Sequence, residues 1–207
     1  MFNLLIIILV VLILWTFWGY FSSRVEQAQY SVVEKKKKYE VRLYPKHIVA
    51  QTTVAGDRRT SLNNGFRIVA GYIFGGNEKK QSVAMTAPVV ARESVSEKIA
   101  MTSPVVATKS GDSRIISFGM PRSYTLGTLP MPTDSRVKLV EIPEEKYAVM
   151  KFSWLATEKR VQRFERELAV ALSIDHVETL GVVAYAGYDA PWTPPWMRRQ
   201  EVLVKIK

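Results

Sequence analysis

The most prominent hydrophobic pattern in the sequence is an apolar run at its N-terminus. Residues 1–23 contain no Asp, Glu, Lys or Arg, and Leu4–Leu14 consists only of Leu, Ile and Val. A helix over Phe2–Phe21 would be about 30 Å long, which matches the hydrocarbon thickness of a bilayer. A cleaved signal peptide is disfavoured because no basic residue precedes the run and no small-residue cleavage site follows it closely. We therefore predict a transmembrane anchor over residues 1–23.

The segment that follows the anchor is polar and basic. Residues 24–38 show no sustained periodicity and include Arg24 and the run Lys35–Lys38, so we predict a juxtamembrane linker. Positive charge on this flank favours an N-out, C-in orientation and a cytoplasmic location for the rest of the chain. The four lysines suit anionic lipid headgroups, although a solvated face without a partner explains them equally well.

Beyond residue 38, segments with the alternation of β-strands are interspersed with segments of helical periodicity. The predicted strands of the first half are Tyr39–Leu43, His47–Ala55, Ser82–Ala91, Lys98–Thr108 and Arg114–Met120. The predicted strands of the second half are Arg136–Ile142, Tyr147–Trp154, Val182–Tyr188 and Gln200–Ile206. A connection with three prolines, Pro121–Asp134, joins the two halves.

Each half also contains one predicted helix. Thr60–Phe74 places Leu62, Phe66, Val69 and Ile73 on one stripe, and Thr157–Ser173 has the clearest apolar face, with Thr157 as its N-cap. Both halves thus repeat the order strand, strand, helix, strand. Two such units can form one strongly twisted antiparallel sheet with a helix over each half, an α+β fold that leaves a groove between the halves.

Composition narrows the chemistry that the chain can perform. Cysteine is absent, which excludes disulfides, thiolate metal sites and cysteine nucleophiles. The net charge of +10 lies outside the anchor, but no zinc-finger or RNA-recognition signature accompanies it, so we predict no nucleic-acid partner. No catalytic motif of a hydrolase, metalloprotease or nucleotide-binding enzyme is present, and we predict a protein that is not an enzyme.

A short internal repeat is the most distinctive motif. Val83–Val90 reads VAMTAPVV and recurs 16 residues later as IAMTSPVV at Ile99–Val106. If the chain turns between the copies, Met85 would face Met101. The two copies either fill the core or form a soft apolar wall for a flat hydrophobic ligand. Pro88 and Pro104 cannot donate to a strand ladder, so each is expected at an edge or bulge.

Several segments resemble the SOUL haem-binding family, in the order in which that family has them. The resemblance covers roughly Tyr30–Ile206 and implies an eight-stranded, pseudo-twofold α+β barrel that is flanked by two helices and binds a tetrapyrrole. We accordingly assign residues 39–207 to a SOUL-like haem-binding domain. The matching segments are Tyr39–Tyr44, Gly65–Phe66, Gly71–Asn77, Val83–Val89, Tyr188–Pro195 and Arg198–Val202.

The resemblance implies haem as the cofactor but does not fix its ligands. Some family members carry a histidine in the opening strand where this chain has Leu43, and only His47 and His176 remain as histidines. Each is either an iron ligand or a surface or capping residue. Arg58 and Arg59 are candidates for pairing with propionates, or they form an exposed loop. The candidate haem contacts are Arg58, Phe66, Tyr72, Met85, Met101 and His47.

Two further features leave alternatives open. Trp192–Trp196 forms either a lip over a pocket or a structural brace. Glu201 is either exposed, paired with Arg198 or Arg199, or directed inward, and an inward carboxylate would favour cationic ligands. The first hypothesis is therefore a membrane-anchored haem carrier or buffer without an obligate protein partner. The alternatives are a sensor or scavenger similar to GyrI-like domains, an interaction module and an enzyme acting on tetrapyrroles.

Overall fold

The computed structural model describes residues 2–22, 26–79 and 96–207. Three α-helices, one 3-10 helix and thirteen strands follow one another along this part of the chain. The helices are α1 (Phe2–Ser22), α2 (Arg58–Ile73), α3 (Glu158–Ile174) and the 3-10 helix Pro195–Met197. The strands are β1 (Glu26–Gln27), β2 (Ser31–Lys35), β3 (Glu40–Tyr44), β4 (His47–Ala55), β5 (Asn77–Glu78), β6 (Thr102–Ser103), β7 (Val105–Ser110), β8 (Ser113–Gly119), β9 (Met131–Pro132), β10 (Lys138–Ile142), β11 (Glu145–Phe152), β12 (Ala184–Gly187) and β13 (Gln200–Lys205).

Nine of these strands form one antiparallel sheet in the order β10-β4-β8-β7-β12-β13-β11-β3-β2. Without the edge strand β2, the order is symmetric about the β7–β12 pair, and each half has the unit strand-strand-helix-strand-strand. The first strand of each unit pairs with the other half, since β10 lies beside β4 and β3 beside β11. The predicted α+β class and duplication are present, and the sheet has one strand more than expected.

Two short connections make the sheet curl into a half-barrel. β4 and β3 lie six strand spacings apart, which in a flat sheet is about 29 Å. The chain from Tyr44 to His47 spans at most about 11 Å, so the two strands must approach each other through curvature. The link from Ile142 to Glu145 imposes the same condition on β10 and β11.

The helices α2 and α3 cover the same face of the sheet. α2 packs on β4, β7 and β8, and α3 packs on β11 and β13. The core between them includes Val69 and Leu168 of the helices and Ile116 and Val202 of the strands, all fully buried. The opposite face, here called the helix-free face, has its own smaller cluster around Tyr44, Val149 and Tyr188.

The helix starts follow from side-chain capping. Thr157 accepts a hydrogen bond from the Arg160 amide, so the predicted N-cap of α3 is confirmed. α2 begins two residues before its predicted start because the Asp57 carboxylate accepts the Thr60 amide at 2.8 Å. The sequence predicts a later start at Thr60 because the apolar stripe begins only at Leu62.

Three expectations need correction or lie outside the described residues. The predicted linker contains β1 and β2, and β2 extends the sheet at its edge. The predicted strand Lys98–Thr108 is interrupted at Pro104, which separates β6 from β7, because proline cannot donate to the ladder. The predicted strand Ser82–Ala91 lies outside the described residues. Over the part of the chain that is described, no helix has the combination of length and hydropathy needed to cross a membrane.

Candidate functional site

A cleft lies at one end of the sheet, beside the β3–β4 corner. Its volume is about 700 Å³, within the range of small-molecule and cofactor sites. Residues 26–29, 44–48, 102–103 and 119–127 form its walls, together with Glu141 of β10. We call it the His47 cleft. It lies where β3 of one half-sheet turns into β4 of the other, so the curl of the sheet creates it.

His47 is the histidine among the residues that line this cleft. Its Nδ1 lies 2.8 Å from the carbonyl oxygen of Pro45. Because a carbonyl oxygen only accepts, Nδ1 must carry the proton, and the lone pair of the neutral ring is then on Nε2. Histidines that ligate metals are commonly oriented by this kind of hydrogen bond from the other ring nitrogen to a backbone carbonyl.

The rest of the cleft combines apolar surface with a cationic rim. Its apolar wall includes Ile48, Met120 and Leu126. Arg122 is exposed and has no ion-pair partner among the described residues, whereas Lys46 pairs with Glu141 at 2.9 Å. An apolar wall, an available imidazole nitrogen and an exposed guanidinium match a planar metal complex that carries carboxylates.

Arg58 lies elsewhere and is occupied. It is 7% exposed at the start of α2, and its Nε pairs with Glu158 at 2.8 Å. Its Nη2 donates to the carbonyl oxygen of Ala156, and its guanidinium lies 5.1 Å from the centre of the Tyr185 ring. These contacts join the N-termini of α2 and α3. Arg58 is not among the residues that line the His47 cleft.

The other predicted contacts are spread over the molecule. Phe66 is 40% exposed on α2, with its ring 5.4 Å from that of Phe118. Tyr72 is buried, and its hydroxyl donates to the carbonyl oxygen of Pro130 at 3.0 Å. Met101 is partly buried just before β6 and does not line the cleft. Met85 and the first copy of the repeat lie outside the described residues. Of the predicted site residues that are described, His47 alone lines the cleft.

Glu201 is directed inward, on the helix-free face, and is fully buried. Arg42 donates to both of its carboxylate oxygens at 3.0 and 3.1 Å, and the Arg199 guanidinium lies 2.8 Å away. The Tyr188 hydroxyl donates to it at 2.7 Å. Glu40 provides a second carboxylate, 2.8 Å from Arg42. We call these five residues the Glu201 network.

The network keeps its two arginines charged and its tyrosine as a neutral phenol. Burial acts against the charge of Arg42, but the hydrogen bonds and negative charge of Glu201, together with Tyr44, outweigh it and raise the pKa of Arg42. Burial, followed by the negative charge of Glu201, raises the pKa of Tyr188. With two guanidinium groups around it, Glu201 offers no unpaired negative charge to a ligand. Its inward orientation therefore does not create a site for cations.

Sequence reasoning missed most of the cleft wall. Arg122, Tyr124 and Leu126 belong to the start of the proline-rich connection, which has no periodicity that would mark it as functional. Met120 is the last residue of the predicted strand before it. Tyr124 is fixed there by donating to Glu97 at 2.6 Å, and this hydrogen bond raises its pKa. Among residues 2–22, 26–79 and 96–207, no group of three His, Cys, Asp or Glu side chains can hold a metal ion.

Comparison with solved structures shows that the fold recurs in other proteins. The C-terminal domain of EcmrR is 9% identical, covers 82% of this chain and 98% of its own, and gives a TM-score of 0.56. A hydrolase from Listeria innocua is 13% identical, covers 84% of this chain and 94% of its own, and gives a TM-score of 0.52. An uncharacterized conserved protein from Listeria innocua is 13% identical, covers 83% of this chain and 93% of its own, and gives a TM-score of 0.51. At these identities the likeness concerns the fold alone.

Sequence comparison is more specific. No curated protein matches the chain. The profile of one family, described as "SOUL heme-binding protein", matches residues 25–205. The match covers the whole nine-stranded sheet, α2, α3 and every wall of the His47 cleft, and it ends at Lys205, the last residue of β13.

Proposed function

Because the chain belongs to the SOUL haem-binding family, we propose that it binds haem or a related tetrapyrrole in the His47 cleft. One observation carries this proposal: the hydrogen bond from His47 Nδ1 to Pro45 leaves Nε2 available to iron inside a cleft of suitable volume. The resemblance in sequence points to haem, and the position of His47 in the cleft wall favours it over His176 as the iron ligand.

The residues of the cleft suggest how haem would be held. His47 would ligate the iron through Nε2, the apolar wall around Met120 would bury the ring, and Arg122 would pair with a propionate. Haem itself supplies the iron and the planar ring. Lys46 is already paired with Glu141, so Arg122 is the better candidate for the propionate.

We further propose that the protein is a carrier or buffer held at a membrane by α1, with the binding domain on the cytoplasmic side. α1 contains 21 residues, and its sequence has no charged side chain. The charges that follow it, Arg24 and Lys35–Lys38, favour the N-out, C-in orientation. A binding role without catalysis agrees with the family and with the lack of a recognisable catalytic motif in the sequence.

A sensor or scavenger of cationic aromatic molecules is the weaker alternative. The fold is shared with the EcmrR C-terminal domain, and the inward position of Glu201 would favour a cation. The two arginines that surround this carboxylate remove that preference. An uncharged or anionic aromatic ligand remains compatible with the helix-free face.

Haem titration with histidine variants tests the proposal. The full chain in lipid nanodiscs is titrated with ferric haem, and the Soret band is followed. We expect a saturable shift at one haem per chain for the wild type. His47→Ala should lose the spectrum of a histidine-ligated iron and bind haem at least tenfold more weakly, because the one iron ligand from the protein is removed.

His176→Asn is the matched control. His176 follows α3 and is exposed with φ +54°, a conformation that asparagine also tolerates. Its variant should bind haem as the wild type does. The proposal is overturned if the wild type gives the spectrum of haem mixed with an inert protein. The assignment of His47 is overturned if His176→Asn, and not His47→Ala, changes the spectrum.

A further inference from the structure

An aromatic surface near α1 has no role in the His47 cleft. Trp154, Leu155, Trp192 and Trp196 are 52%, 48%, 57% and 40% exposed. They come from two loops that are joined by a hydrogen bond from the Trp154 amide to the Pro195 carbonyl oxygen at 3.0 Å. We call these four residues the aromatic patch. Four large exposed apolar side chains so close together are typical of an interaction surface.

The backbone of Trp154 supports a functional role for its ring. Trp154 has φ +75°, a region that bulky L-residues rarely adopt. The folded chain therefore accepts an unfavourable backbone conformation at a residue whose ring is more than half exposed to solvent. Outliers of this kind concentrate at binding and functional sites.

The aromatic patch is continuous with α1. The Trp15 indole nitrogen donates to the Trp192 carbonyl oxygen at 2.9 Å, and the rings of Trp15 and Trp196 lie 5.4 Å apart. One turn further along the helix, a side chain on Gly19 would come within 2.5 Å of the Pro194 ring. Trp15 lies seven residues, or about 10 Å, before the end of α1. The patch therefore contacts the C-terminal part of the helix, where a spanning helix would leave the hydrocarbon.

Basic side chains adjoin the aromatic patch. Trp154 and Leu155 line a hollow of about 410 Å³ together with Lys159, Arg160 and Arg163 of the first turns of α3. Arg163 forms an ion pair with Glu167 at 2.7 Å. Lys159 is exposed, and the Nε of Arg160 is buried without a hydrogen-bond partner in the described part of the chain. This arrangement places net positive charge beside the tryptophans.

We propose that the aromatic patch and the adjoining Lys159 and Arg160 rest on the headgroup region of an anionic phospholipid bilayer. Tryptophan rings settle at this level of a membrane, and basic side chains nearby are attracted to anionic lipids. A bilayer is favoured over a protein partner because the surface continues directly into the apolar α1. The inference rests on the proposed anchor and adds that the binding domain lies against the membrane in a fixed orientation.

Spin labelling tests this arrangement directly, because the chain has no cysteine of its own. Leu155→Cys, Leu9→Cys and Ile174→Cys each provide one nitroxide site on the full chain in nanodiscs that contain phosphatidylglycerol. Leu9 reports on the anchor. Ile174 is a matched exposed apolar residue at the far end of α3, about 24 Å from Glu158. Collision rates with oxygen and with a water-soluble nickel complex measure the depth of each label.

We expect a higher ratio of oxygen to nickel collision rates for the Leu155 label than for the Ile174 label, because a bilayer is rich in oxygen and shields the patch from the nickel complex. Equal ratios for the Leu155 and Ile174 labels overturn the proposal, whatever the Leu9 label shows. The anchor fails separately if the Leu9 label is as accessible to nickel as the Ile174 label. A raised ratio at Leu155 beside a nickel-accessible Leu9 label would support the membrane surface and remove the spanning helix.

A second arm tests the role of charge. Lys159→Gln with Arg160→Gln should lower the oxygen preference of the Leu155 label in phosphatidylglycerol nanodiscs and leave it unchanged in pure phosphatidylcholine. Lys109→Gln with Lys138→Gln removes the same charge from two other exposed positions and should have no effect. Equal effects of the two pairs would contradict a local contact of Lys159 and Arg160 with anionic headgroups.

Discussion

Glu201 illustrates at the residue scale how pairing determines what a buried carboxylate can do. It is fully buried, yet Arg42, Arg199 and Tyr188 satisfy it completely with short hydrogen bonds. A lone buried carboxylate would attract a cation, whereas this one stabilises the helix-free face and keeps Arg42 in place. The same three side chains explain why an inward carboxylate does not by itself predict a cationic ligand.

The Glu201 network should contribute strongly to stability. Glu201→Gln leaves the fully buried Arg42 with too little negative charge, so we expect the free energy of unfolding to fall by about 3–5 kcal/mol. Urea denaturation of the full chain in detergent, followed by far-UV circular dichroism, measures this change. Glu34→Gln breaks the exposed pair with Lys36 and should cost less than about 1 kcal/mol. Similar small losses for both variants would show that the network is not stabilising.

His47 shows how far prediction from residue type reaches. Its residue type marked it as a possible ligand, but sequence alone gave His176 the same standing. His47 differs from His176 in its contact with the Pro45 carbonyl and in its place beside the cleft wall around Met120. These groups approach His47 only after folding. The pairing of Arg58 with Glu158 was equally invisible in the sequence, because the two residues lie 100 positions apart.

At the scale of elements, α2 is positioned by a glycine. A side chain added at Gly65 would clash with Ile116 of β8, with 2.7 Å to its Cβ, so the helix lies directly on the strand. Gly71 on the same helix has no atom within 4 Å of such a side chain. Both glycines belong to the segments that resemble the family. The structure requires a glycine for close packing at Gly65 and has room for a side chain at Gly71.

We expect opposite effects from alanine at these two positions. Gly65→Ala should lower the free energy of unfolding by about 1–3 kcal/mol, because the added methyl group overpacks the contact with Ile116. Gly71→Ala should raise it by up to about 1 kcal/mol, since alanine favours the helix and meets no neighbour. Thermal unfolding of the two variants beside the wild type measures both changes. Destabilisation of equal size at both positions would contradict the close packing of α2 on β8.

The elements themselves were largely predictable, for local reasons. The apolar stripe and the Thr157 cap specify α3, and the alternation in β4 and β11 specifies these strands. The edge strand β2 was missed because all five of its residues are exposed, so its composition resembles that of a linker. The break at Pro104 was anticipated only as an edge or bulge, since a proline excludes a ladder hydrogen bond without saying where the chain goes next.

The arrangement of the whole molecule depends on pairings that no local pattern records. The duplicated unit was visible in the sequence, but the exchange of β3 and β10 between the halves was not. That exchange, with two short connections, curls the sheet and creates the cleft beside His47. The curl places the candidate haem site at the end of the sheet, whereas sequence analysis expected a groove between the halves lined by Met85 and Met101.

The most direct test of the central claim compares two ligands on the same protein. The full chain in nanodiscs is titrated by calorimetry with ferric haem and, in parallel, with a lipophilic phosphonium cation. We predict saturable binding of one haem per chain with a Soret shift, and no binding of the cation beyond that of empty nanodiscs, because Glu201 is already neutralised. Saturable binding of the cation, together with a haem titration indistinguishable from that of empty nanodiscs, would contradict the account.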